Sequence, residues 1–162
     1  MATVQLPPEF AGLVAKGVSC IVASRDARLR PSVMRAVASR LAADRREVTV
    51  FLSRRQSGQL LQDIAATGHV AAVFSQPSTH RTVQLKASSA VLREARPEDA
   101  PDLARCQATL EQELQSIGYP AGLASALLAH RLEDLVAVSF QPEQAFDQTP
   151  GPRAGARLGG FR

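Results

Sequence analysis

Apolar positions along the chain change period several times, and each change marks an element. Residues 7–16 begin with proline, place Phe10, Leu13 and Val14 on one helical face and stop at Gly17, which predicts a short helix. From Val18 the period becomes two. "VSCIVAS" reads as a first strand, "RDARLRP" as a turn, and "SVMRAVASRL" as one second strand. "ADRRE" turns the chain into a third strand, "VTVFLS". Helical spacing returns in "RRQSGQLLQDIAATG", with Ser57 as the expected N-cap, Leu60, Leu61 and Ile64 as the buried stripe and Gly68 as the stop. "HVAAVFS" is a fourth strand. "RTVQLKASSAVLRE" is a long fifth, with Val83 and Leu85 on one face and Thr82, Gln84 and Lys86 on the other.

After Glu94 the composition shifts. Leu103, Leu110, Leu114 and Ile117 predict a helix up to Gly118, "PAGLASALLAH" a second, and "DLVAVSF" a last strand. The segment 141–162, rich in proline and glycine, has no period and is expected to be irregular. Strands joined by short connections around one helix predict a mostly β fold with accessory helices. They suit a largely antiparallel barrel and not a doubly wound parallel sheet. One domain over 1–162 is expected: a barrel core at about 17–95 plus 135–140, a helical insert at about 98–130, and the tail.

Composition narrows the function classes. The net charge of +4 is an arginine effect, since Lys16 and Lys86 are the only lysines. Arginines spread along the chain, no tryptophan and one tyrosine argue against a nucleic-acid binder. Cys20 and Cys106 form neither a metal spacing nor a disulfide framework, and no apolar run approaches bilayer length. The first residues lack the basic and apolar succession of a secretion signal, so a cytoplasmic location is expected, with no membrane partner.

Phosphate-loop, dinucleotide-fingerprint, zinc-protease and nucleophile-elbow motifs are all absent. The three histidines, at 69, 80 and 130, fall on different elements and predict no metal site. What recurs is arginine and small hydroxyls at strand ends: Arg35 and Arg40, Ser53 and Arg54, Ser57 opening the helix, and Arg81 with Thr82. Charge-assisted donors converging beside a helix N-terminus would suit a phosphate. The same spacing is also compatible with a solvated face and capping serines.

These residues resemble the FMN-binding split β-barrel of pyridoxamine 5′-phosphate oxidase and its relatives, over about residues 10–95. "RAVASR" places Arg35 and Arg40 where the family has the basic residues that grip the flavin phosphate, with Val37 between them. "FLSRRQSGQ" is similar to the family's flavin-holding turn in Phe51, Ser53 and Ser57, while Gly58 and Gln59 replace its Arg-Lys pair. "RTVQLKA" resembles a third motif, with Thr82 in place of a flavin-contacting glutamine. The substrate signature and C-terminal tryptophan of the true oxidases are missing, so vitamin B6 oxidation is not expected. The tail "AFDQTPGPRAG" is similar to those of small oxidase-related flavoproteins; Gln148 and Thr149 would lie over a flavin, across a dimer seam, or simply on the barrel.

The resemblance implies FMN as cofactor and a homodimer with flavin at the subunit interface. Arg35, Val37, Arg40, Leu52, Ser53, Arg54, Ser57, Gln59, Arg81, Thr82, Gln84 and Lys86 would line the site. The implied activity is a flavin-dependent oxidoreduction of an unknown small molecule, with no residue standing out as acid, base or nucleophile. A flavin carrier or sensor without turnover, and a barrel holding haem or a deazaflavin, are the alternatives.

Overall fold

The computed structural model describes residues 4–159. A helix α1, Pro8–Lys16, leads into strands β1, Ser19–Arg25, β2, Pro31–Arg35, β3, Ala38–Leu41, and β4, Val48–Ser53. Helix α2, Gly58–Thr67, is followed by β5, Val70–Ser75, β6, Thr82–Ala87, and β7, Val91–Glu94. Two helices, α3, Ala100–Ser116, and α4, Leu123–Leu127, precede β8, Leu135–Phe140, β9, Gln144–Asp147, and β10, Ala156–Leu158. Every strand pairing is antiparallel. One sheet runs β10-β9-β6-β5-β1-β2 and the other β3-β4-β8-β7.

Between the sheets, Val22, Val48, Val50, Leu52, Ile64, Phe74, Val83, Leu85 and Val138 are fully buried. Alternation explains the larger sheet. Cys20 and Val22 of β1, Ala72 and Phe74 of β5, and Val83 and Leu85 of β6 point inward, leaving the intervening residues half-covered outside. The smaller sheet is covered on both faces, so all six residues of β4 are buried. Its second face packs Val37, Ala38, Phe51, Leu135 and Ala137 against Leu103 and Cys106 of α3.

Three expectations are corrected. "SVMRAVASRL" is two strands, because the chain leaves one sheet for the other at Ala36–Val37. There the Ala36 amide bonds the Cys20 carbonyl and the Val37 amide bonds the Phe51 carbonyl of the opposite sheet. "RTVQLKASSAVLRE" divides in the same way between β6 and β7. Glu143 accepts from the Ser88 amide (3.0 Å) and hydroxyl (2.8 Å), and the Ala90 amide bonds the Gly68 carbonyl. Gly68 has φ +70, and a Cβ there would lie 2.5 Å from the Ser88 carbonyl oxygen. Finally, the tail is not irregular: β9 extends the larger sheet beside β6, and β10 folds back on β9. Residues 160–162 lie outside the described residues.

Candidate functional site

The larger sheet turns one face away from the core, and its register lines up residues on that face. One row runs Arg35, Ile21, Val73, Gln84, Phe146; the next runs Val33, Ala23, Ala71, Lys86, Gln144. The floor is thus small and apolar at its centre, with polar groups at its margins. From Arg35 to Gln84 is three strand spacings, about 14 Å. Arg35 donates to the Ser19 hydroxyl at 2.6 Å, and the Lys86 ammonium lies 5.2 Å from the centre of the Phe146 ring. Among the described residues neither cation has a carboxylate within 4.0 Å.

Thr82 shares this face at the start of β6. Its hydroxyl meets that of Ser75 (2.9 Å), and its amide donates to the Thr149 hydroxyl (3.1 Å). Gln148 approaches Gln84 at 3.4 Å, so the tail closes the margin of the same surface within one chain. Arg81 is exposed and stacks over Phe10 at 5.7 Å. His80 is an exposed turn residue in the left-handed region, φ 57.

The other sequence-predicted residues lie elsewhere. Arg40 donates to Asp99 (3.0 Å) and Asp102 (3.2 Å) beneath α3. Arg54 is bound by both oxygens of Glu94 at 2.6 Å, and the Ser53 hydroxyl donates to Asp134 at 2.6 Å. Gln59 donates to Asp63 (2.8 Å), a buried carboxylate that also accepts from the Ser32 hydroxyl. Val37 and Leu52 are core side chains, 5% and 0% exposed. Ser57 stands at the start of α2 without making the expected cap, and its hydroxyl is buried without a partner. The structure therefore does not gather Arg35, Arg40, Ser53 and Ser57 around one point.

A flavin can be tested against these two regions. At the Ser53–Ser57 turn the donors face Asp134, Glu94 and Asp63, and the one unpartnered hydroxyl is out of reach, so a phosphate does not fit. The outer sheet face suits a planar ring better, with an apolar floor of Ile21, Ala23, Ala71 and Val73 between Arg35 on one side and Gln84 and Lys86 on the other. Neither cysteine competes as a nucleophile. Burial pushes the Cys20 and Cys106 thiols above the usual range, and both stay out of solvent.

Sequence reasoning passed over Arg25 and weighed His69 only for a metal or haem site; the two face each other across β1 and β5. Arg25 Nη2 lies 3.2 Å from His69 Nε2. The β1–β5 register continues to this pair, so the alternation held the signal once the two strands were matched.

The architecture is that of the split β-barrel of the pyridoxamine 5′-phosphate oxidase-related, FMN-binding proteins. Similar solved structures include a candidate pyridoxamine 5′-phosphate oxidase of Lactobacillus delbrueckii (17% identity, 88% of this chain and 93% of that one, TM-score 0.55). A pyridoxamine 5′-phosphate oxidase-related, FMN-binding protein of Nostoc punctiforme is 12% identical over 91% of this chain and 87% of that one, with a TM-score of 0.52. An F420 reductase is 14% identical over 86% and 98%, with a TM-score of 0.53. No sequence-family model and no curated protein matches the chain. Among the described residues no helix is long and apolar enough to cross a membrane.

Proposed function

We propose that this chain binds FMN on the outer face of its larger sheet and serves as a flavin-dependent oxidoreductase for a small molecule. The observation that carries the reading is that face: an apolar floor with Arg35 at one margin and Gln84 and Lys86 at the other, and, among the described residues, no acid paired to either cation. Arg35 would take the phosphate, and Thr82, Gln84 and Lys86 the polar edge of the ring. A cation at that edge favours a reduced, anionic flavin. The flavin supplies the electron chemistry; the chain binds, orients and shields it.

The same face is the proposed seam of a homodimer. Ile21, Val33, Val73 and Phe146 form an apolar band that α1–α4 leave uncovered, and Val33 is 61% exposed. A second copy would cover the band and enclose the flavin, with Gln148 and Thr149 at its rim.

The likeness to an F420 reductase supports a deazaflavin as the second reading, since the same floor and cations suit either ring. The visible spectrum of the purified protein, with the mass of any ligand released on denaturation, separates FMN, a deazaflavin and haem. Colourless protein that fails to take up FMN at micromolar concentration would sink the main reading. Arg35→Gln should weaken FMN at least about tenfold, as expected for one charge-assisted phosphate contact. FMN reduced no faster when NAD(P)H is added would leave a carrier or sensor.

A further inference from the structure

At the end of β1, β5 and β6 the outer face hollows into a cavity of about 330 Å³, with Ala23, Ala71 and Ala87 as its walls and Arg25, His69 and Lys86 around it. We infer that this cavity is a binding site for a small planar organic acid, whose carboxylate is held between Arg25 and Lys86. The site is built from groups outside the proposed phosphate position, and its test needs no flavin.

The charge pattern is the first reason. Eight other arginines, from Arg30 to Arg153, have a carboxylate within 4.0 Å. Among the described residues Arg25 has only neutral acceptors: its Nη1 reaches the Asp26 carbonyl at 3.1 Å and its Nη2 reaches His69. The neighbouring acid cannot serve it, because the Asp26 carboxylate is taken by the Arg28 and Arg30 amides (2.8 and 2.9 Å) and the Arg30 guanidinium (2.7 Å). No Asp or Glu lines the cavity. A half-covered guanidinium and an ammonium beside an acid-free hollow make a receptor for an anion, and the guanidinium fork suits a carboxylate.

The second reason is the state of His69. Its Nδ1 lies 2.9 Å from the Thr67 carbonyl, which can only accept, so Nδ1 carries the proton. Nε2 is then the acceptor for Arg25. The Ser24 hydroxyl donates to the His69 carbonyl at 2.7 Å and ties the two strands together at this point. The imidazole thus holds Arg25 in place as a neutral acceptor, which an entering carboxylate replaces with an ion pair. Ala23, Ala71 and Ala87 keep the cavity largely apolar between its polar groups, which suits a small ring carrying one carboxylate and not a sugar. The volume is at the small end of ligand cavities, which suits one ring and not a nucleotide. Where a flavin occupies the adjoining floor, Lys86 borders both ligands, and this is the position from which a co-substrate would meet the ring.

The test is titration of the full chain, without added flavin, by benzoate, its neutral isostere benzamide and inorganic phosphate at fixed ionic strength. Calorimetry gives affinity, and the ¹⁵N shift of His69 Nε2, assigned with His69→Gln, gives place. Benzoate should bind with a Kd on the order of 1 mM or tighter. Benzamide and phosphate should bind at least about tenfold more weakly, and the Nε2 resonance should move as Arg25 turns to the ligand. Arg25→Gln and Lys86→Gln should each weaken benzoate about tenfold. Benzoate that fails to bind, that binds no better than benzamide or phosphate, or that binds the double variant unchanged overturns the assignment. The wild-type comparison decides it even if a variant fails to fold. Protein that binds FMN but not benzoate refutes this site alone; the reverse refutes the flavin reading alone.

Discussion

Asp99 is the group on which the attachment of α3 to the smaller sheet turns, and Asp99→Asn measures that attachment. The carboxylate is 2% exposed. It accepts from both terminal nitrogens of Arg93 (2.7 and 2.8 Å), from Arg40 (3.0 Å) and from the Arg96 amide (2.9 Å). An asparagine keeps the shape but presents only one acceptor oxygen, and points its own N–H groups at guanidinium donors. Removing one partner of a buried ion pair costs about 3–5 kcal/mol. Arg93 and Arg40 are 29% and 36% exposed and regain some hydration, so the lower end applies, about 3 kcal/mol. For a chain of this size that corresponds to a fall in Tm of about 6–12 °C, read by differential scanning calorimetry at pH 7. The pH dependence supplies a second reading. The Arg93 guanidinium bonded to Asp99, with the Arg96 amide and Arg40, holds its carboxyl well below the usual carboxylate range. A depressed carboxyl contributes stability that is complete above the unfolded-state value of about 4 and is lost as the pH falls through the folded-state value. The gap between wild type and variant should stay constant from about pH 8 to pH 5 and close only below about pH 4. A Tm drop under about 2 °C, or a gap that closes between pH 8 and 5, would refute the reasoning.

Other consequences follow from particular contacts. Gly68→Ala forces a side chain into the left-handed region and against the Ser88 carbonyl, so it should cost about 2 kcal/mol or more, measured by urea unfolding. Ser57→Ala removes a buried hydroxyl that bonds to nothing; where loss of a working N-cap costs about 1 kcal/mol, this change should stay within about 0.5 kcal/mol of wild type. Arg40→Gln should lower stability through Asp99 and Asp102 while leaving FMN affinity within about twofold, the reverse of Arg35→Gln. Val33→Asp places a charge on the proposed seam, so sedimentation should show the dimer shifted toward monomer with an unchanged fold.

How far the sequence could be read depended on what each residue's neighbours were. The strands β1, β4, β5 and β8 were legible because each is a short apolar or alternating run bounded by turn residues. The sheet changes at Ala36–Val37 and Ser88–Ala90 were not: the first falls within the apolar run "AVA", and the second is marked only by Ser88 and Ser89, which an alternating strand also accommodates. The tail strands were hidden for the opposite reason: β9 and β10 are held largely through backbone pairing to β6 and to each other, which proline and glycine nearby do not announce. At the site, the motif "RAVASR" presents Arg35 and Arg40 as a pair, and the resemblance gives them one role. Their five-residue spacing crosses a sheet boundary, so one emerges on the open face and the other under α3. The acids that engage Arg40 lie 59 and 62 residues further along, in a segment read only as a helical insert. A motif fixes which residue stands where, but whether an arginine can receive a ligand depends on acids the motif does not contain. By that criterion the open face is defined as much by Arg25 and His69, which no motif marked, as by Lys86 and the other residues the family pattern selected.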